Sequence, residues 1–228
     1  MDKLLYLQQY HKDIKLIHDP VKAIDNIPSS WVDILGENDK KKKISILLDS
    51  WSKNIFPCLQ NTIMYLREYL DDVELIFYNE NYSLLYTILN SNGEALYYEG
   101  RVPGKSGITD KLLLSWPVLP SSIRTFYEHL HNGFYYYASE SMGLLPLEDV
   151  VVFEDEDWGI LDDLTDPLQI HLPTTFGFFA SGMGGYVALD SADCDEGKST
   201  LWFTNRQPKY NVNFWDVVDE WIVIGMQN

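Results

Sequence analysis

Cysteine is scarce in this chain: Cys58 and Cys194 are the two in 228 residues. Their spacing fits neither a disulfide framework nor a metal knuckle. Long apolar runs are missing too, because the longest stretch without Asp, Glu, Lys or Arg, Pro167–Leu189, contains two prolines and four glycines. The first residues show no signal-peptide pattern. These absences predict a cytoplasmic protein with reduced thiols and no membrane partner.

Basic residues are also few: 17 Lys and Arg stand against 34 Asp and Glu, a net charge of -17. The imbalance is concentrated in residues 119–228, which hold 4 basic and 18 acidic residues, a net charge of -14. Such a surface repels nucleic acid and anionic membranes. It attracts a basic protein partner, although a solvated, solubilising surface has the same composition.

Hydrophobic periodicity predicts an N-terminal region of helices followed by a β-hairpin. Leu4, Leu7, Ile14 and Ile17 predict a first helix that ends at Asp19-Pro20. Further helices are predicted over Ser30–Gly36, and from Lys40 to Leu70 with an interruption at Pro57. The hairpin strands are Val73–Tyr78, Tyr82–Leu89 and Ala95–Glu99, with a turn at Ser91-Asn92-Gly93.

The second half alternates one helix with several short strands and closes on a helix. Ser121 or Ser122 is predicted to cap a helix that Gly133 ends. Asn213 is predicted to cap the closing helix, which carries Phe214, Val217, Val218, Trp221 and Ile222 at helical spacing. The predicted strands are Phe134–Ala138, Val150–Phe153, Thr175–Ala180, Tyr186–Asp190 and Thr200–Thr204.

Motifs for catalysis are weak. Gly104-Lys105-Ser106 misses the phosphate-loop spacing by one residue, and Gly-x-Ser-x-Gly is absent. The acid-rich segment 190–197 does not fit the register of a calcium-binding EF-hand loop. Acidic residues are too abundant for any pair to be singled out. The sequence therefore predicts a protein that is not an enzyme, with no metal and no cofactor.

An acidic run is the most informative feature. Glu148–Asp166 contains nine acidic residues and no base, and the acids flank Trp158, Ile160, Leu161 and Leu164. Acidic groups that raise the association rate, around an apolar anchor, are typical of a charge-steered protein interface. A solvated loop is the alternative interpretation. The predicted partner-binding residues are Glu154, Asp155, Glu156, Asp157, Asp162 and Asp163 for steering, Trp158 as apolar anchor, and Asp193, Asp195 and Glu196 as an extension of the patch.

Several short patterns in residues 112–228 together resemble the SUKH superfamily. They are Leu119-Pro120, His131-Asn132-Gly133-Phe134, Gly143–Val150, the Gly-rich segment from Phe176 to Leu189-Asp190, Trp202, and the closing segment Asn213–Ile222. Residues 1–111 match no family by this reasoning. The sequence thus divides into an N-terminal helical region plus β-hairpin (1–111) and a SUKH-like domain (112–228), either separate or as one continuous fold. In this interpretation the glycines and Asp190 are fold residues, and Asp190 is predicted to cap the loop that follows it.

The resemblance implies an α+β fold, with a mixed or antiparallel sheet flanked by helices and an α-helical and β-hairpin N-terminal extension. It also implies an immunity protein that binds a cognate bacterial toxin, for example a nuclease, and occludes its active site. Other family members resemble regulators of yeast cell-wall glucan synthesis, so a regulatory adaptor is the second hypothesis. A carboxylate hydrolase, with raised carboxylate pKa values in a closed pocket, is the third.

Overall fold

A computed structural model describes residues 2–90 and 92–227, without the side chain of Glu196. Ser91, in the predicted hairpin turn, lies outside the described residues. These residues form seven α-helices and eleven β-strands. The helices are α1 (Lys3–Leu7), α2 (Ser29–Gly36), α3 (Lys40–Ile55), α4 (Gln60–Tyr69), α5 (Asp110–Ser115), α6 (Ser121–Thr125), which a π-helical turn continues over Phe126–Leu130, and α7 (Phe214–Gln227).

The strands form one antiparallel sheet. They are β1 (Lys15–Ile17), β2 (Leu70–Tyr78), β3 (Asn81–Leu89), β4 (Ala95–Arg101), β5 (Asn132–Tyr136), β6 (Ser141–Leu144), β7 (Val151–Val152), β8 (Thr175–Ala180), β9 (Gly185–Asp190), β10 (Lys198–Phe203) and β11 (Lys209–Asn213). Neighbours in the sheet follow chain order, except that β6 pairs with β8 and the short β7 also pairs with β8. The α+β prediction is confirmed, and the sheet is antiparallel.

The sheet runs through both halves of the chain. Strand β4 pairs with β5, with Tyr98 opposite Tyr136 and Gly100 opposite Phe134. The hairpin of residues 70–101 therefore extends the C-terminal strands instead of standing apart. One large hydrophobic core also contains residues of both halves.

The main core lies on one face of the sheet. Trp51 of α3 is fully buried, and its ring lies 4.9 Å from that of Phe134 on β5. Helix α7 covers the C-terminal strands of this face, where Phe214 contacts Phe178 and Trp221 contacts Phe179. The opposite face has two smaller clusters: α1 covers one, and the acidic run covers the other.

A buried carboxylate joins α7 to α4. The Asp219 side chain accepts hydrogen bonds from the backbone N of Asn61 at 2.9 Å, and from the backbone N and Oγ1 of Thr62 at 2.7 Å each. Helix α4 has no side-chain cap from its own N-cap residue, Leu59. Asp219 therefore supplies, from 157 residues away, the acceptor that a local cap normally gives a helix.

Some predicted elements are wrong in the structure. The helix predicted over Leu4–Ile17 ends at Leu7, and Lys15–Ile17 forms β1, in which Leu16 lies opposite Ile76 of β2. The apolar spacing of that segment arises because Ile14 packs with Leu7 in the small cluster under the sheet. The interruption at Pro57 is confirmed, since α3 ends at Ile55 and α4 begins at Gln60.

The capping predictions had mixed outcomes. The N-cap position of α6 is Pro120, without a side-chain cap, and Ser122 Oγ instead accepts a hydrogen bond from Trp215 Nε1 at 2.8 Å. Gly133 does not end the helix but lies in β5 with φ +85°, where a Cβ would lie 2.6 Å from the Pro146 backbone. The cap of α7 is confirmed, because Asn213 Oδ1 accepts from the backbone N of Asp216 at 3.1 Å.

No helix in the described ranges is both long and apolar enough to span a membrane.

Candidate partner-binding surface

The acidic run is held to the sheet by its apolar residues. Phe153, Trp158 and Ile160 are buried against Ala188 and Trp202 of β9 and β10. The Trp158 ring lies 4.7 Å from Phe153 and 5.4 Å from Trp202. This packing turns the acidic side chains between and beside them toward solvent.

Trp158 is a core residue. Only 6% of its surface is exposed, and its Nε1 donates to the Phe153 carbonyl oxygen at 2.8 Å. The predicted role of Trp158 as an apolar anchor for a partner does not fit this position. An indole that is already buried and hydrogen-bonded has no surface left to offer.

The steering residues are all exposed, but they differ in pairing. Glu154 and Asp155 both accept from Nζ of Lys111 in α5, at 2.9 and 2.6 Å. The hydrogen bonds that the Lys111 ammonium donates to Asp155 and Glu154 raise its pKa. The acidic run itself has no base, so this cation comes from the N-terminal half of the chain.

Four steering carboxylates remain uncompensated. Glu156, Asp157, Asp162 and Asp163 are exposed and, within the described part of the chain, form no ion pair. Asp149 and Asp166, which are likewise exposed and form no ion pair in the described ranges, add to the negative field that these four side chains give the run.

The second acidic segment lies beside the same helix. Asp193 pairs with Lys198, and Asp195 is exposed. Ser191 Oγ lies 3.1 Å from Oγ of Ser115, at the end of α5, whereas Lys111 near its start holds the first segment. The four-residue interval from Lys111 to Ser115 spans about 6 Å along the helix, so the first acidic segment is held near the start of α5 and the second near its end. The side chain of Glu196 lies outside the described residues.

Tethers fix the chain between the acidic run and β8. Gln207 accepts from the backbone N of Thr165 at 3.1 Å and donates to the Asp163 carbonyl oxygen at 2.9 Å. Asp190 accepts from the backbone N of His171 at 2.9 Å and from that of Ala192 at 3.0 Å. The predicted capping role of Asp190 is confirmed. A tethered surface loses less conformational entropy when a partner binds.

A buried polar chain crosses the core without being a site for a ligand. Trp51 Nε1 donates to Tyr86 Oη at 3.0 Å, and that hydroxyl lies 2.6 Å from His131 Nε2. His131 Nδ1 lies 3.3 Å from the Arg101 carbonyl oxygen, which only accepts, so Nδ1 carries the proton. Burial lowers the pKa of His131 to about 3, which keeps the ring neutral.

Glu99 is a second buried group that sequence reasoning missed. It is fully buried, and it accepts from Tyr78 Oη at 2.6 Å and Ser83 Oγ at 2.7 Å, with Arg101 Nε 3.5 Å away. These partners satisfy the carboxylate and leave it no free acceptor position directed at solvent. Its hydrogen-bond donors Tyr78 and Ser83 lie in other strands, so no local pattern in the sequence could have identified it.

The carboxyl groups of the described residues give the hydrolase hypothesis little support. The pKa of Asp149 is raised by burial, against the lowering effect of Arg101. Asp149 nevertheless lies on the exposed surface and not in a closed pocket. Across residues 2–90 and 92–227, no group of three or more His, Cys, Asp or Glu side chains is arranged to hold a metal ion.

Comparisons of the chain with protein-family models, curated proteins and solved structures found no match. The SUKH resemblance and the functions it implies therefore stay predictions.

Proposed function

We propose that this protein is an immunity protein that binds a toxin with a basic surface and neutralises it by covering its active site or substrate groove. The observation that carries the proposal is the set of four uncompensated, exposed carboxylates on the tethered acidic run. The implied toxin class, for example a nuclease, rests on the SUKH resemblance. A nuclease groove that normally holds phosphates presents the cations that such a surface would meet.

The arrangement of the acidic run favours a role in binding a partner protein over a role in solubility alone. Like charges in one segment repel each other, and a purely solubilising surface gains nothing from crowding them. Here the buried Phe153 and Trp158 hold the crowded segment in one conformation. Complementary charge raises association rates from about 10⁵–10⁶ to as much as about 10⁸–10⁹ M⁻¹s⁻¹.

The function is tested by co-expression with the product of a toxin reading frame adjacent to the gene. Rescue of growth supports the proposal, and a toxin that kills equally well in the presence of this protein contradicts it. Binding of several unrelated proteins without rescue would favour the regulatory adaptor instead.

The role of the acidic run is tested by charge reversal in the rescuing pair. The double variant Glu156→Lys/Asp157→Lys should slow association about tenfold and flatten its salt dependence. The matched control is Asp25→Lys/Asp33→Lys, which makes the same charge change at exposed positions far along the chain. Equal association rates for the two double variants would show that the run does not steer.

A further inference from the structure

The turn between β8 and β9 presents a methionine to solvent. Met183 is 86% exposed and lies between Gly182 and Gly184, whose φ angles are +74° and +75°. Ser181 Oγ accepts from the backbone N of Met183 at 3.2 Å and from that of Gly185 at 3.0 Å. The turn is thus fixed by its own hydrogen bonds, and the apolar side chain at its tip points away from the core.

Beside this turn lies a groove of about 530 Å³ with an aromatic floor. Met183, Phe203, Arg206 and Trp221 line it. The Arg206 guanidinium lies 3.5 Å from the centre of the Phe203 ring, and the Trp221 ring lies 6.4 Å from that of Phe203. Stacking on Phe203 orders the arginine before any partner arrives.

The composition of this groove is that of an interface centre. Trp, Phe, Met and Arg are the residues enriched at protein–protein contacts, and Trp and Arg dominate their energetic hot spots. An exposed methionine adapts its shape to an incoming apolar group. The groove therefore supplies the apolar contact that buried Trp158 does not.

The groove adjoins the acidic run at one end of the sheet. Its Arg206 precedes Gln207, whose side chain holds Asp163 and Thr165. On the other flank of α7, Asp216 and Glu220 line a wider groove of about 1100 Å³. An apolar group that enters beside Trp221 therefore meets Arg206 in the groove itself, while the acidic run lies behind the Arg206-Gln207 loop and Asp216 and Glu220 lie on the other flank of α7.

We propose that the groove between the β8–β9 turn and α7 receives an aromatic or aliphatic side chain of the partner, flanked in the partner by Lys or Arg. The inference rests on the proposed protein-binding function and names its anchoring point. Charge complementarity selects this occupant over a second copy of the chain, because two copies with a net charge of -17 repel each other.

A random dodecapeptide library displayed on phage tests the inference without knowledge of the toxin. Selection on the intact protein should enrich peptides with an aromatic or aliphatic residue between basic residues. Met183→Ser should weaken the best peptide about tenfold, and Trp221→Ala more strongly. Leu5→Ser is the matched control, since Leu5 is 61% exposed on α1, and should leave affinity unchanged.

Met183→Ser keeps the test decisive if Trp221→Ala does not fold, because Met183 is almost wholly exposed. Enriched peptides that lack an apolar residue, peptides whose affinity survives Met183→Ser, or no enrichment at all would each overturn the inference. So would self-association of the wild type that Met183→Ser abolishes, because the occupant would then be a second copy.

The two proposals fail separately. If toxin rescue holds and charge reversal at Glu156 and Asp157 slows association while Met183→Ser has no effect on toxin affinity, the protein is an immunity protein with its anchor elsewhere. If the peptides bind the groove as described but no toxin is neutralised, the groove stands and the immunity function is wrong.

Discussion

Replacing Asp219 with alanine is expected to release the start of α4 from α7. The substitution leaves the backbone N and the hydroxyl of Thr62 without an acceptor, and Thr62 is fully buried. The backbone N of Asn61 lies in an exposed residue, where water replaces the lost bond. Each buried donor left unsatisfied costs about 1–3 kcal/mol. Two such donors predict a loss of about 4 kcal/mol in the free energy of unfolding.

Urea unfolding followed by tryptophan fluorescence measures this loss. With a slope of about 3 kcal/mol/M, the midpoint should fall by a little over 1 M. Asp219→Asn keeps one carbonyl oxygen for Thr62, so it should lose only about half as much. Glu220→Ala is the control, because the exposed neighbour on the same helix should change stability by less than about 0.5 kcal/mol.

The order of the three variants in free energy of unfolding tests whether Asp219 caps α4. If Asp219→Ala unfolds within about 1 kcal/mol of Glu220→Ala, the carboxylate does not hold α4 and the assigned capping role is wrong. If Asp219→Asn is as damaging as Asp219→Ala, the charge, and not the hydrogen-bond geometry, carries the effect.

Three further substitutions test other contacts. His131 has a pKa near 3 in the folded protein and about 6.5 unfolded, so its stabilising effect is complete above pH 6.5 and is lost as pH falls toward 3. Between pH 6 and 4, the wild type should lose about 1.4 kcal/mol per pH unit more than His131→Gln in urea unfolding; parallel pH profiles would refute this. Trp158→Ala should cost about 3–5 kcal/mol in the same assay, whereas an exposed anchor would cost little. Gly143→Ala places a Cβ 2.0 Å from the Phe134 carbonyl oxygen and should cost about 3 kcal/mol, against less than about 0.5 for Gly159→Ala, which has open space; equal midpoints would contradict this geometry.

The spacing of apolar and capping residues predicted those elements that are specified by residues close to them in the chain. The stripe from Phe214 to Ile222 and the cap at Asn213 gave α7 correctly, because cap and stripe lie within one stretch of chain. Strands β8, β9 and β10 were also predicted close to their observed bounds. Each of these strands contains enough apolar residues to be recognised from its own sequence, without knowledge of the strands that it pairs with.

Other strands are not marked by apolar residues of their own. The strand β11, Lys-Tyr-Asn-Val-Asn, is an edge strand with no buried residue, and its alternation rests on two half-buried residues, Tyr210 and Val212, which are too few to predict a strand. In β6, the backbone at Gly143 approaches Phe134 too closely for any side chain. That close approach exists only after β5 and β6 have paired, so the glycine could not be interpreted from sequence.

The candidate surface was predicted in part. Acidic residues in a dense run must face solvent, so their exposure followed from composition. Which way Trp158 turns is decided by Trp202 on β10, and the sequence does not specify that contact. The groove was missed because Met183, Arg206 and Trp221 come from a turn, a loop and a helix. A methionine set among glycines in Ser-Gly-Met-Gly-Gly was the one local signal for it.

The tie between Asp219 and α4 also constrains the order in which the chain assembles. Because strands pair mostly in chain order, the sheet is able to grow from its N-terminal edge as synthesis proceeds. Helix α7 follows the eleven strands in the chain. The donors at the start of α4 therefore lack their acceptor, Asp219, until the strands have been synthesised. The start of α4 therefore matures last although it is synthesised early. We expect it to be the part of the molecule most exposed to proteases and chaperones before α7 docks.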